Sequence, residues 1–359
     1  MLKLIGGLSA LVIIILTGFT VLGIKAHPAI LPPVQKGFTV TPAPTIPPTP
    51  RVKIINNDYQ IFQTFNNCGP AALSMALSYY GINISQEKLG QDLRPYQNPR
   101  GDNDDKSVSL DELASKAEEY QLSAFHRPDG TVEILKQLIS RDIPVITRTR
   151  LTSDDDIGHY RIIRGYNDNT GEFIQDDPMQ GHNLRYKYPD FEQLWRMFGN
   201  EYLVIVPENK LATALTVLGK NADQNSAWKN AVIDYQKITE SSPDDIYARF
   251  NFAVALYHTG DFERSVWEYE KIENRLPFRT LWYQIEPVQA YFQLGNYGKV
   301  FEITEKILNN QNRADSELYL IRGEIYQKQG NIAAAKTEFE KAVYYNRNLK
   351  AAREKLGSL

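Results

Sequence analysis

The chain has 359 residues, a net charge of −3 and a pI near 6.0. That length calls for two or three domains, and the near-neutral charge makes no electrostatic case for nucleic-acid binding. A single cysteine excludes an internal disulfide, and with five histidines there is no CxxC pair or Cys/His cluster for structural zinc and no Gly-rich phosphate loop.

The first element in chain order is an apolar run at residues 4–24, free of charge and flanked by Lys3 and Lys25. It is long enough to span a hydrocarbon core of roughly 30 Å. An uncleaved anchor is favoured over a cleaved signal peptide, because Pro28 interrupts the nearest small-residue site, Ala26-His-Pro-Ala29. Residues 1–25 are therefore read as an anchor or signal segment. Residues 26–53 are read as a linker, with eight of the nineteen prolines between His27 and Arg51. Such a stretch favours extended polyproline geometry and acts as a semi-rigid spacer. A short N-terminal tail normally stays inside, so a membrane-anchored, extracytoplasmic soluble part is the expectation.

The cysteine, Cys68, lies in Gln63-Thr-Phe-Asn-Asn-Cys68-Gly69-Pro70, just ahead of a predicted helix. Pro70 suits the first turn, Gly81 suits the residue after the last, and Leu73, Ala76, Leu77 and Tyr80 recur at helical spacing. A thiol at the positive end of a helix dipole is favoured as thiolate, the nucleophilic form. The ordinary reading of a lone cysteine is a small buried hydrophobe.

From residue 54 to 209 the pattern is mixed. Ser109-Leu-Asp-Glu112 reads as a capping box opening a helix to about residue 120, and a second helix is expected over 132–140. Strands are expected at Ile143-Pro-Val-Ile-Thr-Arg-Thr149, Tyr160-Arg-Ile-Ile-Arg-Gly-Tyr166, Glu172-Phe-Ile-Gln-Asp176 and Tyr202-Leu-Val-Ile-Val206. Helices first and an antiparallel sheet later point to an α+β fold. The turn Asn167-Asp-Asn-Thr-Gly171 makes the second and third strands a hairpin. Centred on Asn169, it brings His159 opposite about residue 179, within a residue or two of Asp177. A base and its orienting carboxylate need that placement. Asp176 is the alternative, because one residue of register turns a side chain to the other face.

Other polar residues have plainer readings. His182 is expected in a solvated turn and His126 in a loop before Pro-Asp-Gly. The acidic runs at 101–105 and 153–156 match no EF-hand spacing and read as solvated loops, the second close enough to His159 to border a cleft. No metal or cofactor is called for.

The motifs Gln63-x-x-x-x-Cys68-Gly-Pro-Ala-Ala-Leu, Gly158-His159-Tyr-x-Ile-Ile-x-Gly-Tyr166 and Asp177-Pro178 resemble those of the bacteriocin-processing (double-glycine-leader) cysteine peptidases and their stand-alone relatives in the papain-like clan. The resemblance implies Cys68 as nucleophile, His159 as base, Asp177 as the orienting carboxylate and Gln63 as an oxyanion-hole donor. Gln63 stands five residues before Cys68, where six is usual in the clan. The family's best-known members cut leader peptides and are fused to transporters, which this chain lacks.

Beyond residue 211 strand signals stop and a period of 34 to 35 residues begins, marked by Gly260-Asp-Phe262, Gly295-Asn-Tyr297 and Gly330-Asn-Ile332. The pattern over 212–357 resembles tetratricopeptide repeats, with Ser265 where alanine is usual. That implies an all-α solenoid offering a protein-binding surface. The joint expectation is a papain-like cysteine peptidase acting on a peptide or protein, with repeats for a partner or for substrate. A catalytically inactive scaffold, or an acyl transferase or deamidase using the same residues, are the alternatives.

Overall fold

In the computed structural model of the chain, residues 47–98, 108–309 and 312–359 are described. They all fall in the larger of the two units into which the chain divides, Ile46–Leu359. The apolar run at 4–24 and the acidic run at 101–105 lie outside the described residues. Among those described, no helix is long and apolar enough to cross a membrane.

The first part of the larger unit is an antiparallel sheet between two helical layers. Its elements are β1 (Val52–Ile54), α1 (Cys68–Ser78), α2 (Gln86–Leu93), α3 (Leu110–Glu118), β2 (Ser123–Arg127), α4 (Val132–Ile139), β3 (Val145–Arg150) and β4 (Gly158–Asn167). After these come β5 (Glu172–Asp177), β6 (Gly181–Lys187), α5 (Tyr188–Trp195), β7 (Tyr202–Val206) and α6 (Glu208–Leu218). The strand order is β2-β7-β3-β4-β5-β6, and β1 pairs with the last residues of β4. The unbroken apolar run of β7 is explained by burial on both faces. Leu203 and Ile205 pack with α1, α2 and α3, while Tyr202, Val204 and Val206 pack with α4, α5 and α6. The capping box of α3 forms both bonds: Glu112 N–H donates to Ser109 Oγ at 3.2 Å, and Ser109 N–H to Glu112 Oε2 at 2.7 Å.

Two histidines lie in strands rather than in the turn and loop expected of them. His126, on β2, is buried, with Nδ1 2.8 Å from Asp111 Oδ1 and Nε2 3.5 Å from Glu201 Oε2. Burial lowers its pKa, but the Asp111 and Glu201 hydrogen bonds and charges outweigh it and push it up to about 9. His182, on the edge strand β6, packs against Phe62 with ring centroids 5.2 Å apart and the planes tilted by 51°.

The rest of the chain is helical: α7 (Gln224–Ser241), α8 (Ile246–His258), α9 (Phe262–Glu270), α10 (Thr280–Tyr283), α11 (Glu286–Gln293), α12 (Tyr297–Asn309), α13 (Ser316–Lys328), α14 (Ile332–Tyr345) and α15 (Lys350–Gly357). Gly260, Gly295 and Gly330 end helices at φ between 71° and 85°, a left-handed conformation that glycine adopts without steric cost. The next residue in each unit caps the following helix. Asp261 Oδ1, Asn296 Oδ1 and Asn331 Oδ1 accept from backbone N–H groups three residues on, at 3.1–3.3 Å. Ser265 is buried and donates to Ala253 O at 2.7 Å, so its hydroxyl is satisfied inside the repeat. Both ends of the array touch the sheet domain. Tyr235 Oη donates to Gly199 O at 2.6 Å, and Asn348 Nδ2 donates to Gln91 O at 2.9 Å.

Candidate active site

Local sequence delivers the thiol to the start of α1. Asn66 takes φ 54°, a left-handed position that asparagine tolerates, and Asn67 N–H closes a turn on Thr64 O at 3.1 Å. The side chain of Asn67 is held by Thr64 and Gln97, and α1 begins at Cys68. Gly69 is needed for the fit, because a Cβ there would lie 2.4 Å from Val108 Cγ2 and 3.4 Å from the Tyr160 ring. The first turn of α1 thus packs directly on β4, whose first residues are Gly158 and His159.

His159 is 2% exposed and Asp177 fully buried. His159 Nε2 lies 2.8 Å from Asp177 Oδ1, and the imidazole is near enough to the Cys68 thiol for each to shift the other's pKa. With Nε2 on the carboxylate, Nδ1 is the nitrogen left for sulfur. Asp177 Oδ1 also accepts the N–H groups of Met179 and Gln180 at 2.7 and 2.8 Å, while Arg161 Nε stands 2.9 Å from Oδ2. The Asp-Pro turn and the carboxylate that holds His159 are therefore one feature. Asp176 faces other partners: Arg164 Nε at 2.7 Å, Gln60 Nε2 at 2.9 Å and Asn183 N–H at 3.0 Å. The β4–β5 register shifts between Ile163 and Gly165, leaving Ile162 opposite Asp176.

The electrostatics favour a charged pair. Burial raises the Cys68 pKa, but the hydrogen bond and charge of His159, the charge of Arg94 and the Gly69 N–H outweigh it and lower it. Burial lowers that of His159, but the Asp177 and Cys68 hydrogen bonds and charges raise it overall. Both shifts stabilise thiolate beside imidazolium. Burial raises Asp177, yet His159 and Arg161 hold its carboxyl below the usual range.

Cys68 and His159 line a cleft of about 460 Å³. Gln63 lines it too. Its N–H donates to Pro178 O at 2.6 Å, and its Oε1 is buried without a hydrogen-bond partner among the described residues. The cleft also carries four apolar side chains that are more than one-third exposed: Phe62, Phe65, Ile157 and Met179. The acidic run at 153–156 is not simply solvated. Asp156 accepts from Arg279 N–H at 2.9 Å and pairs with its Nη1 at 2.6 Å. Sequence reasoning had no signal for Arg161, because a charged residue inside a strand reads as solvent-facing.

A helix bearing a thiol at its start, docked on an antiparallel sheet that carries a His–Asp pair, is the architecture of a papain-like cysteine peptidase domain. Residues 51–203 match the Peptidase_C39 like family, and residues 316–349 match a tetratricopeptide repeat, so a C39-like domain precedes a tetratricopeptide repeat in this chain. Among solved structures the chain is similar to a C39-like peptidase from Bacillus anthracis at 18% identity, over 44% of this chain and 98% of that one, with a TM-score of 0.37. It is also similar to the peptidase domain of Streptococcus ComA, a bifunctional ABC transporter of a quorum-sensing pathway, at 18% identity over 41% and 97% of the two chains, TM-score 0.33. A tetratricopeptide repeat protein from Parabacteroides merdae matches at 22% identity over 42% and 64%, TM-score 0.32. No curated protein matches the chain.

Proposed function

We propose that the chain is a cysteine peptidase acting on a peptide or protein substrate, with Cys68, His159 and Asp177 as its catalytic triad. The observation that carries this is the Cys68 thiol at the start of α1 facing the same cleft as a His159 ring held by Asp177 Oδ1 at 2.8 Å. The Cys68 thiolate attacks the scissile carbonyl carbon, and the carbonyl oxygen takes up negative charge. The Gln63 amide and an N–H at the start of α1 are the donors for that oxygen. The His159 imidazolium gives its proton to the amine as the C–N bond breaks, leaving a thioester. Water then loses a proton to His159 and attacks the thioester, releasing the acid and restoring the pair. Asp177 fixes the tautomer throughout and stabilises the imidazolium.

The repeats are read as the surface for a partner or for the body of the substrate. The charge-free run at 4–24 and the proline-rich stretch after it support a membrane-anchored, extracytoplasmic setting. Alkaline extraction of membranes and protease shaving of intact cells test that setting. The catalytic reading is tested by incubating the full chain and its Cys68→Ala variant with a proteome-derived peptide library. New termini with wild type alone support it. Termini with both, or with neither, overturn it, and transfer of the acyl group to an added amine in preference to water would favour the acyl-transferase alternative.

A further inference from the structure

The Cys68 cleft is not built by the peptidase-like part alone. Arg279 and Tyr283, from the repeat array, line it beside Ile157 and His159. Their position follows from a broken helix. The first helix of this repeat is interrupted: α10 ends at Tyr283, and α11 starts at Glu286 with Pro287 in its first turn. In a continuous helix the Tyr283 carbonyl would accept from the N–H of residue 287, which proline lacks, and the proline ring would press on that same carbonyl. The freed carbonyl instead accepts from Arg148 Nη2 on β3 at 3.0 Å. The Arg148 guanidinium is buried and lies 4.7 Å from the Phe198 ring centre and 5.7 Å from that of Tyr283.

This anchorage sets the Tyr283 ring against the residue before His159. A Cβ on Gly158 would lie 3.3 Å from both Cδ1 and Cε1 of Tyr283 and 3.0 Å from Phe198 Cζ. Arg279 fixes the loop leading into β4 through Asp156. The wall on this side of the nucleophile therefore joins an aromatic ring from the repeats to exposed Ile157 from the sheet domain.

We propose that Tyr283 is a specificity-determining residue of the Cys68 cleft, its ring selecting a large apolar side chain near the scissile bond. The proposal rests on the peptidase reading above. A substrate is thus read by both parts of the chain at once.

The test is the cleavage preference of the full chain on a proteome-derived peptide library, for wild type, Tyr283→Phe and Tyr283→Ala. Wild type and Tyr283→Phe should share a preference for large apolar residues at one position. Tyr283→Ala should keep cleaving while that preference falls at least fivefold. If Tyr283→Ala melts below the assay temperature, Tyr283→Leu keeps apolar volume over Gly158 and should shift the preference the same way by a smaller factor. A preference unchanged in the folded variants overturns the proposal while leaving the peptidase reading intact. No cleavage by wild type, whose Cys68 is checked separately by alkylation against pH, overturns both.

Discussion

Arg161 Nε stands 2.9 Å from Asp177 Oδ2 while His159 Nε2 holds the other carboxylate oxygen at 2.8 Å. Asp177 thus lies between an imidazole and a guanidinium, hydrogen-bonded to the first and ion-paired with the second, and its neighbour Asp176 is held by Arg164 away from the thiol. The two carboxylates should separate cleanly on mutation. Asp177→Asn is expected to lower kcat by about 10²–10⁴-fold, because His159 loses its tautomer control and its charge partner. Asp176→Asn should keep the turnover of the folded protein while costing about 3 kcal/mol of stability, since Arg164 is left with a neutral partner in a buried site. Steady-state kinetics and urea melts on the two variants check this, and equal kinetic losses would contradict the assignment.

The paired shifts of Cys68 and His159 set a pH window. Thiolate is present once pH exceeds the lowered Cys68 pKa, and imidazolium persists until pH exceeds the raised His159 pKa. Iodoacetamide should therefore alkylate the folded protein with an inflection below the ordinary thiol value of about 8.5. Peptide turnover should fall again at the alkaline end as His159 loses its proton. In His159→Ala the largest opposing force is removed and burial is left to act, so the alkylation inflection should move up by about one pH unit or more. An inflection that stays in place would exclude His159 as the partner of the thiol.

Gln63 tests the oxyanion site. Replacing it with alanine removes one donor that acts only when charge develops on the carbonyl oxygen. A fall in kcat of about 10²-fold with little change in KM is expected. A change confined to KM would assign Gln63 to substrate binding instead.

Asp129 offers a prediction on stability alone. Burial raises its pKa, the Asp234 carboxylate of α7 adds repulsion, and the result is about 6. An acid whose folded pKa exceeds its unfolded value of about 3.9 binds an extra proton on folding, so stability declines as pH rises from about 4 through 6. Asp129→Asn should be more stable than wild type above pH 7 by about 1–3 kcal/mol, with the gain vanishing near pH 4. Asparagine suits the left-handed φ of 55° at this position. Calorimetry at pH 4.5 and 7.5 reads the difference.

The helix that opens on Cys68 was legible because its punctuation is local: Pro70 and Gly81 bracket α1 without any knowledge of the sheet. The β4–β5 hairpin was legible for the same reason, from its turn. The choice between Asp176 and Asp177 was not, because it depends on a register shift near Gly165 that leaves no mark in the alternation of side chains. β6 was missed since it is an edge strand whose residues alternate between half-buried and exposed, and its polar composition imitates a turn. The share of the cleft owned by Tyr283 was hidden too. Pro287 announces a break in a helix, but which distant strand takes up the freed carbonyl is a fact of tertiary packing.

Cys68 and His159 sit on different layers, the first turn of α1 and β4, joined where Gly69 lets the helix close on the sheet. Sulfur chemistry here consequently reports on assembly. When the layers part, the thiol loses the imidazole, the largest influence that holds its pKa down, and moves toward an ordinary cysteine. As the chain has no second sulfhydryl, every thiol reagent reads that one seam, and the ratio of labelling at pH 6 to labelling at pH 9 becomes a gauge of how often it opens.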